Sequence, residues 1–545
     1  MNLIHIDQNW IAANYSEGAL FFEEPDTEYC FQTDFEADGT AVFTRNSNIV
    51  VNLNGHKISF GLDPGRDGAV GIYPFSARND KGVGSDSVNY SKTETESWNK
   101  KNVMIKNGSI VWGSGAGPGT WATAIGGRNT ANNITIDNCY LETGGQDGMC
   151  VNLGGDMTLT NTHAVCRSRS TVDRHQTPAN IKVGGKLTAR HNILEGGLSA
   201  FAVGSESEIV QNVMRQLGFA TNGYGVMLYR VGNVIVRENL ILPTNGRGVM
   251  HNAGTGHLVE DNLIVVHEQP NAEFGNNLSP PCFRSRYELS GNVFRRNRCL
   301  AIGGGENANA KGAYLTEYPD AEIPNQIIEN EFRAVLTSAA DSKAVMAMSL
   351  EGQGKAESFT KTIIERNRLV SNNILLALSR SDGGCYQETI KNNSMEWAIG
   401  RASYLWFLSA VSENRYMFEY SEANSFVNPD LLVLIKGDVA DEVEALIAEV
   451  PDSVGNRSTF YAGWWTLDSK ITLMDTQLGD GVTMGVLDIA GANKGAIDIK
   501  VGTNDVVDYS LIKAAGAGEP ITRVEGNGTI PPEPEPEPVP PSAPY

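Results

Sequence analysis

The sequence predicts an all-β chain wound as a right-handed parallel β-helix of about eleven or twelve coils with an asparagine ladder, followed by a smaller β-rich C-terminal domain. Three observations predict it. Glycine is abundant, 58 of 545 residues, and only 20% of residues are charged, which favours turn-rich β structure over helical bundles. Short β-branched runs end again and again in asparagine, at Asn107, Asn138, Asn161, Asn192, Asn212, Asn239, Asn262, Asn292, Asn330, Asn367 and Asn392, spaced 20 to 38 residues apart. The phrase Gly225-Val-Met returns as Gly248-Val-Met, 23 positions later. A unit of this size cannot bury its own apolar face, but stacked units can, each strand pairing with its equivalent about 4.8 Å away. Asparagine suits the recurring corner because it tolerates left-handed backbone angles and its amide can bond to the asparagine of the next coil. Propeller blades need about 40 residues and four strands, and leucine-rich repeats need regular leucines; neither pattern occurs.

Taken in order, residues 1–40 read as an N-terminal cap, 41–410 as the β-helix, 411–530 as the C-terminal domain and 531–545 as a proline- and glutamate-rich linker. The stretch VVNLNGHKISF (50 to 60) reads as the first coil. The intervals 161 to 192, 262 to 292 and 292 to 330 must carry long loops, which can wall a groove along the rod. Beyond 410 the asparagine rhythm stops. There GDVADEVEALIAEV (437 to 450) has helical spacing, and GVTMGVLDIAGANKGAIDIKVG (481 to 502) reads as paired strands around a turn. PPEPEPEPVPPSAPY is an extended tether of the kind that follows a secreted catalytic domain.

The formal charge of −21 argues against nucleic acid or an anionic membrane as partner. No apolar run approaches the roughly 20 residues that span a bilayer. The start, MNLIHIDQNW, carries no signal-peptide pattern; the expectation is a secreted protein whose leader is absent from this sequence. Seven cysteines show no zinc spacing, while Cys139 with Cys166 and Cys282 with Cys299 are spaced to allow disulfides.

Six of the eight histidines fall between 163 and 267, and residues 163–300 hold 15 Lys and Arg against 10 Asp and Glu. A basic belt on an acidic rod suggests a groove for an anionic chain. The loop RSRSTVDRHQT brings Arg174 and His175 to one edge. Counted back from the ladder asparagines, Lys182, Tyr229 and Asn252 are equivalent, each ten residues ahead of its asparagine. Arg230 and His251 adjoin them, Arg247 lies in the preceding corner, and Arg284 and Arg286 lie in the corresponding region of the following coil. His251 has apolar residues on both alternations of GVMHN, so its face stays open. His163, His191, His257 and His267 read as hydrogen-bonded surface residues.

The asparagine-laddered coils, the VVNLNGHKI opening and the central basic groove resemble the pectate-lyase-like superfamily of polysaccharide lyases, over roughly residues 45 to 400. Within it, the His and Tyr candidates with their flanking arginines, the acidic whole and the proline-rich tail are most similar to secreted marine enzymes acting on uronic-acid-containing algal polysaccharides, such as the fucoidan lyase family. The resemblance implies β-elimination on a uronic-acid-containing anionic polysaccharide. That chemistry needs a cation to neutralise the carboxylate, a base for the C5 proton and an acid for the leaving oxygen. Arg230, Arg247 or Lys182 suits the first role, His175 or His251 the second and Tyr229 the third, with Tyr229 as base if neighbouring arginines stabilise its phenolate. Arg174, Asn252, Arg284 and Arg286 would bind substrate. No pectate-lyase-style aspartate cluster is evident, so no cofactor is required and calcium stays open. A homo-oligomer is allowed but nothing in the residues demands it. The alternatives are a glycoside hydrolase using two of Glu238, Glu260, Asp261 and Asp173, and a non-catalytic carbohydrate-binding spike or adhesin.

Overall fold

The structure is a computed structural model. It describes residues 1–63, 69–74, 102–113, 122–127, 133–145, 148–168, 179–197, 199–217, 223–243, 246–267, 281–303, 310–317, 323–336, 345–352 and 362–371, and otherwise only short strands between 359 and 526.

The described residues wind as a right-handed parallel β-helix with three sheets. The first sheet stacks Met157–Thr160, Leu187–Arg190, Glu208–Val210, Ile235–Arg237, Leu258–Glu260 and Val293–Arg295. The second begins after the asparagine corner, with Ile193–Gly196, Val213–Leu217, Leu240–Pro243 and Leu263–His267. The third stacks Ala179–Val183, Ser199–Ala202, Gly223–Gly232, Gly246–Thr255, Pro281–Ser290 and Lys311–Glu317. Because side chains alternate along a strand, each sheet sends every other residue inward. Ile105, Ile136, Leu159, Ala189, Ile209, Val236, Val259, Phe294, Ile327 and Ile364 thus form one continuous buried column. At about 25 cal/mol per Å² of apolar surface removed from water, such columns are the main stabilising term, and they extend with every added coil.

Parallel stacking starts earlier than the sequence suggested. Asn2–Ile6 pairs with Thr27–Phe31, which pairs with Ile49–Asn52, so the stretch read as the first coil is the third rung. A short helix, Gln8–Asn14, follows the first strand, and Asp7 caps it by accepting the Trp10 N–H at 2.8 Å. Beyond 410, Leu431–Gly437 pairs in parallel with Ser403–Ser409, and Lys470–Leu478 with Met417–Tyr420. Thr483–Gly485 pairs with Thr459–Tyr461 while Ala496–Val501 pairs with Lys470–Leu478; the two strands of the expected pair therefore lie in different sheets. The expected helix at 437–450 lies, apart from Gly437, outside the described residues. Among the described residues no helix is long and apolar enough to cross a membrane.

The corner divides two jobs that the sequence assigned to one asparagine. Left-handed backbone falls at Asn107, Asn138 and Asn161, then at His191, Gln211, Glu238, Asp261, Arg296, Glu329 and Arg366. At Asn107, Asn138 and Asn161 the asparagine itself takes that conformation. From Asn192 on it sits one residue later and turns inward. The interior ladder runs Asn192, Asn212, Asn239, Asn262, Asn297, Asn330, Asn367, each amide nitrogen donating to the next Oδ1 at 2.8–3.0 Å. Asn297, not Asn292, is the member between Asn262 and Asn330. Asn292 belongs to a neighbouring corner, where its Oδ1 accepts the His257 backbone N–H and its amide donates to Asn325.

Candidate functional site

The 23-residue echo has a steric cause. A Cβ on Gly225 would come within 2.3 Å of Ile241 Cγ2, and one on Gly248 within 2.2 Å of the Cys282 carbonyl oxygen. Both glycines let a third-sheet strand press against the interior. After them the alternation is fixed: Val226, Leu228 and Val249 point inward and are fully buried, so Met227, Tyr229, Met250 and Asn252 face outward. The register then sets two outer columns. Met227, Met250, Arg284 and Tyr314 form one, and Tyr229, Asn252 and Arg286 the other. Tyr224 and Arg247 pair just ahead of the glycines.

On this face cations alternate with aromatic rings. Arg247 donates to the Tyr224 hydroxyl at 2.8 Å and to Met250 Sδ at 3.7 Å, with its guanidinium 5.3 Å from the Tyr224 ring centroid. The Arg284 guanidinium lies 5.2 Å, and the Lys311 ammonium 4.2 Å, from the Tyr314 ring centroid. Such contacts hold a cation without neutralising it. Burial, then the charges of Arg247 and Arg286, push the Arg284 pKa down to about 10; it remains protonated at neutral pH, and its Nε has no partner. Neither Arg247 nor Arg284 makes an ion pair among the described residues. The first sheet is the contrast. There buried Glu260 accepts Arg295 and Arg296, each at 2.7 Å, and Asp261 accepts Arg296 at 2.8 Å, which holds the Asp261 carboxyl below its usual range.

The sequence-derived candidates separate in space. Tyr229 is half-buried against Tyr224, Met227 and Met250, and the exposed Arg230, in left-handed backbone, places its guanidinium 5.4 Å from the Tyr229 ring centroid. Asn252 and Arg286 follow Tyr229 in the same column. Lys182 does not. It pairs with Ala202 and through it with Met227, so it belongs to the column of Arg284, not to that of Tyr229 as expected. His251 is corrected outright: it shares the inward alternation of Val249, is 1% exposed, and neither ring nitrogen has a partner. It cannot meet a ligand on the outer face, which removes it as a catalytic base. His257, expected at the surface, is also buried. Arg174, His175 and Asp173 lie outside the described residues. His163 reaches Glu195 at 3.3 Å and His191 reaches Gln211 at 2.7 Å, both on other parts of the coil.

Sequence reasoning missed Tyr224, Lys311 and Tyr314. For Tyr224 the signal was present, because GYGVM and GRGVM place Tyr224 and Arg247 at the same point of the echo. The carboxylates considered for hydrolysis sit elsewhere: Glu260 and Asp261 on the first sheet and its corner, and Glu238 at the same corner, accepting from Gln211 at 2.6 Å. Among the described residues no three or more His, Cys, Asp or Glu gather as a metal site. Cys139, Cys166, Cys282 and Cys299 are buried and free, so neither disulfide considered from the spacing is formed.

No protein-family model matches the sequence, and no curated protein matches it either. Among solved structures, a mutant tailspike protein of E. coli bacteriophage HK620 in complex with pentasaccharide is similar at 12% identity, covering 96% of this chain and 75% of that one with a TM-score of 0.35. A double mutant of the same tailspike gives 11% identity, the same coverage and a TM-score of 0.30. The Streptococcus pneumoniae surface protein and adhesin PfbA gives 11% identity, 96% and 94% coverage and a TM-score of 0.23. At these values the β-helix assignment stands on the chain's own parallel ladders, and the site stands on its own geometry.

Proposed function

We propose that this protein binds an anionic polysaccharide along the outer face of the third sheet and cleaves it by β-elimination. One observation carries the binding half: Arg247 and Arg284 are held by aromatic rings and left without a carboxylate, on a chain whose other described arginines are largely ion-paired. A carboxylate or sulfate presents two or more oxygens to the donor edge of a guanidinium. Tyr224 and Tyr314 keep the guanidinium groups spread across the face. A uronate-containing, sulfated polymer of the fucoidan type, met by a secreted enzyme, is the finer form of this reading.

For cleavage, Tyr229, facing outward between Arg230 and the Asn252–Arg286 column, is the residue proposed to transfer the proton. Arg230 above its ring and Arg286 two rungs along would attract the carboxylate of a bound uronate beside the Tyr229 hydroxyl. His175, which lies outside the described residues, stays the proposed partner on the sequence reading alone. The withdrawal of His251 into the core favours a second reading, a non-catalytic binder, because it leaves fewer titratable groups outside. Incubation with acidic polysaccharides separates the readings. Elimination yields an ultraviolet-absorbing unsaturated uronate, hydrolysis yields reducing ends without it, and a binder leaves polymer length unchanged. Tyr229→Phe is expected to lower turnover by at least about 100-fold with binding retained; near-normal turnover would remove Tyr229 from the chemistry.

A further inference from the structure

Directly behind the cationic face, the core contains two imidazoles where only apolar groups would be expected. His251 and His257 stand with ring centroids 4.7 Å apart, and the Phe283 ring meets His251 edge-on at 5.0 Å and 83°. His251 occupies one inward rung with Leu228 before it and Ser285 after it, and its chain neighbours Met250 and Asn252 are outer-face residues. The backbone N–H of Val234 donates to His257 Nδ1 at 3.2 Å, which assigns the proton of the neutral ring to Nε2. A Cβ on Gly254 would lie 2.7 Å from that Nε2, so the ring occupies space that only a glycine at 254 leaves open.

We propose that the His251–His257 pair is an acid-sensitive joint that holds the coils bearing Tyr229, Asn252, Arg284 and Arg286 in register, and releases ligand when it protonates. A second proton on His257 would set an N–H against the Val234 N–H. A proton added to His251 has no acceptor, and two imidazolium rings at this separation repel. The resulting displacement falls first on Met250–Asn252 and Phe283–Arg286, the outer residues of the same rungs. The charged groups on the packed strands do not relieve it. Arg230, Arg247, Arg284 and Arg286 lie on the outer face and add positive charge, Cys282 is a buried thiol, and the Glu260 carboxylate is taken by Arg295 and Arg296. Burial holds the His251 pKa well below the ordinary range, with the nearby His257 adding to it; burial likewise puts His257 at about 4, opposed in part by the Val231 carbonyl. Both rings are therefore neutral in the folded protein at pH 7. As pH falls from about 6.5 toward about 4, the unfolded or opened chain takes up protons that the folded pair refuses, and the joint weakens through that window.

The proposal rests on the anionic-polysaccharide reading of the face, and the test keeps the two apart. Dextran sulfate is the probe, since its sulfate esters stay ionised across the window. At about pH 7, wild type and His251→Phe should bind it equally; by about pH 4.5 the wild type should have lost at least about tenfold more affinity than the variant. His257→Gln, which keeps an acceptor for Val234, should protect in the same way, and far-ultraviolet circular dichroism at each pH confirms the fold. Parallel loss in wild type and both variants overturns the joint. Absence of binding at neutral pH strikes the polysaccharide reading instead, and hydrogen exchange in Gly246–Thr255 then decides: acid-enhanced exchange in wild type alone sustains the joint, and equal exchange in all three overturns it.

Discussion

Arg284→Met is expected to weaken binding of an acidic polysaccharide while making the protein harder to unfold. The two effects come from one cause. The Arg284 guanidinium is partly buried beside Arg247 and Arg286, so folding must desolvate it and bring it toward like charge. Its depressed pKa puts that burden on the order of 1 to 3 kcal/mol, because the group is charged in both folded and unfolded states at neutral pH. Methionine keeps much of the aliphatic stem without the charge, and relieves the burden. Binding loses a charge-assisted pair, a contribution of about 1.5–3 kcal/mol, or roughly ten- to a hundredfold in affinity. Urea unfolding and a titration with dextran sulfate or polyuronate measure the two separately. A variant that unfolds more easily and binds as before would make Arg284 a structural residue. The wild-type affinity should also fall with added salt, as it does for partly exposed charges.

Much of this architecture was legible because the spacing of β-branched runs and corners leaves few alternatives, and parallel coils have to stack in register to bury their apolar columns. The errors arise where two corners look alike. Asn292 and Asn297 both close short strands five residues apart, and only the hydrogen bonds reveal that Asn297 continues the interior ladder while Asn292 caps His257. Lys182 was misplaced because counting back from the ladder asparagine assumes coils of constant length. Ala202 is ten residues ahead of Asn212, but its register partner Met227 is twelve ahead of Asn239. The two extra residues accompany a left-handed bend at Arg230, repeated at Ala253 in the next coil. The inward turn of His251 was hidden for a related reason: Gly225 and Gly248 reset the alternation, and a run such as GVMHN is apolar on both sides. The cation–aromatic face could have been read more fully, since Tyr224 and Arg247 occupy the same place in the echo. The contribution of Lys311 and Tyr314 depends on register across loops of unequal length, which no count along the chain supplies.

Loss of one rung of the interior ladder should cost more stability than any single change at the outer corner. The Asn239 amide donates to the Ile209 and Arg237 carbonyls at 2.9 Å and to Asn262 Oδ1 at 3.0 Å, while its Oδ1 accepts the backbone and side-chain N–H groups of Asn212. Leucine at this position fills nearly the same volume but leaves those buried donors and acceptors unmet, at about 1 kcal/mol or more each. Asn239→Leu is therefore expected to destabilise by roughly 3 kcal/mol or more, a large share of the 5–15 kcal/mol that domains generally have. Asn138→Gly is the matched control. Asn138 is exposed and left-handed, with φ of 52°, and glycine keeps that conformation at little steric cost, so its effect should stay within about 1 kcal/mol. Because each coil pairs only with its neighbours, the Asn239 lesion should open locally first, raising hydrogen exchange in Glu208–Val210 and Leu258–Glu260 before the N-terminal coils respond. Equal destabilisation by both variants, or exchange rising uniformly along the rod, would mean that the apolar columns alone fix the register and that the amides merely fill space.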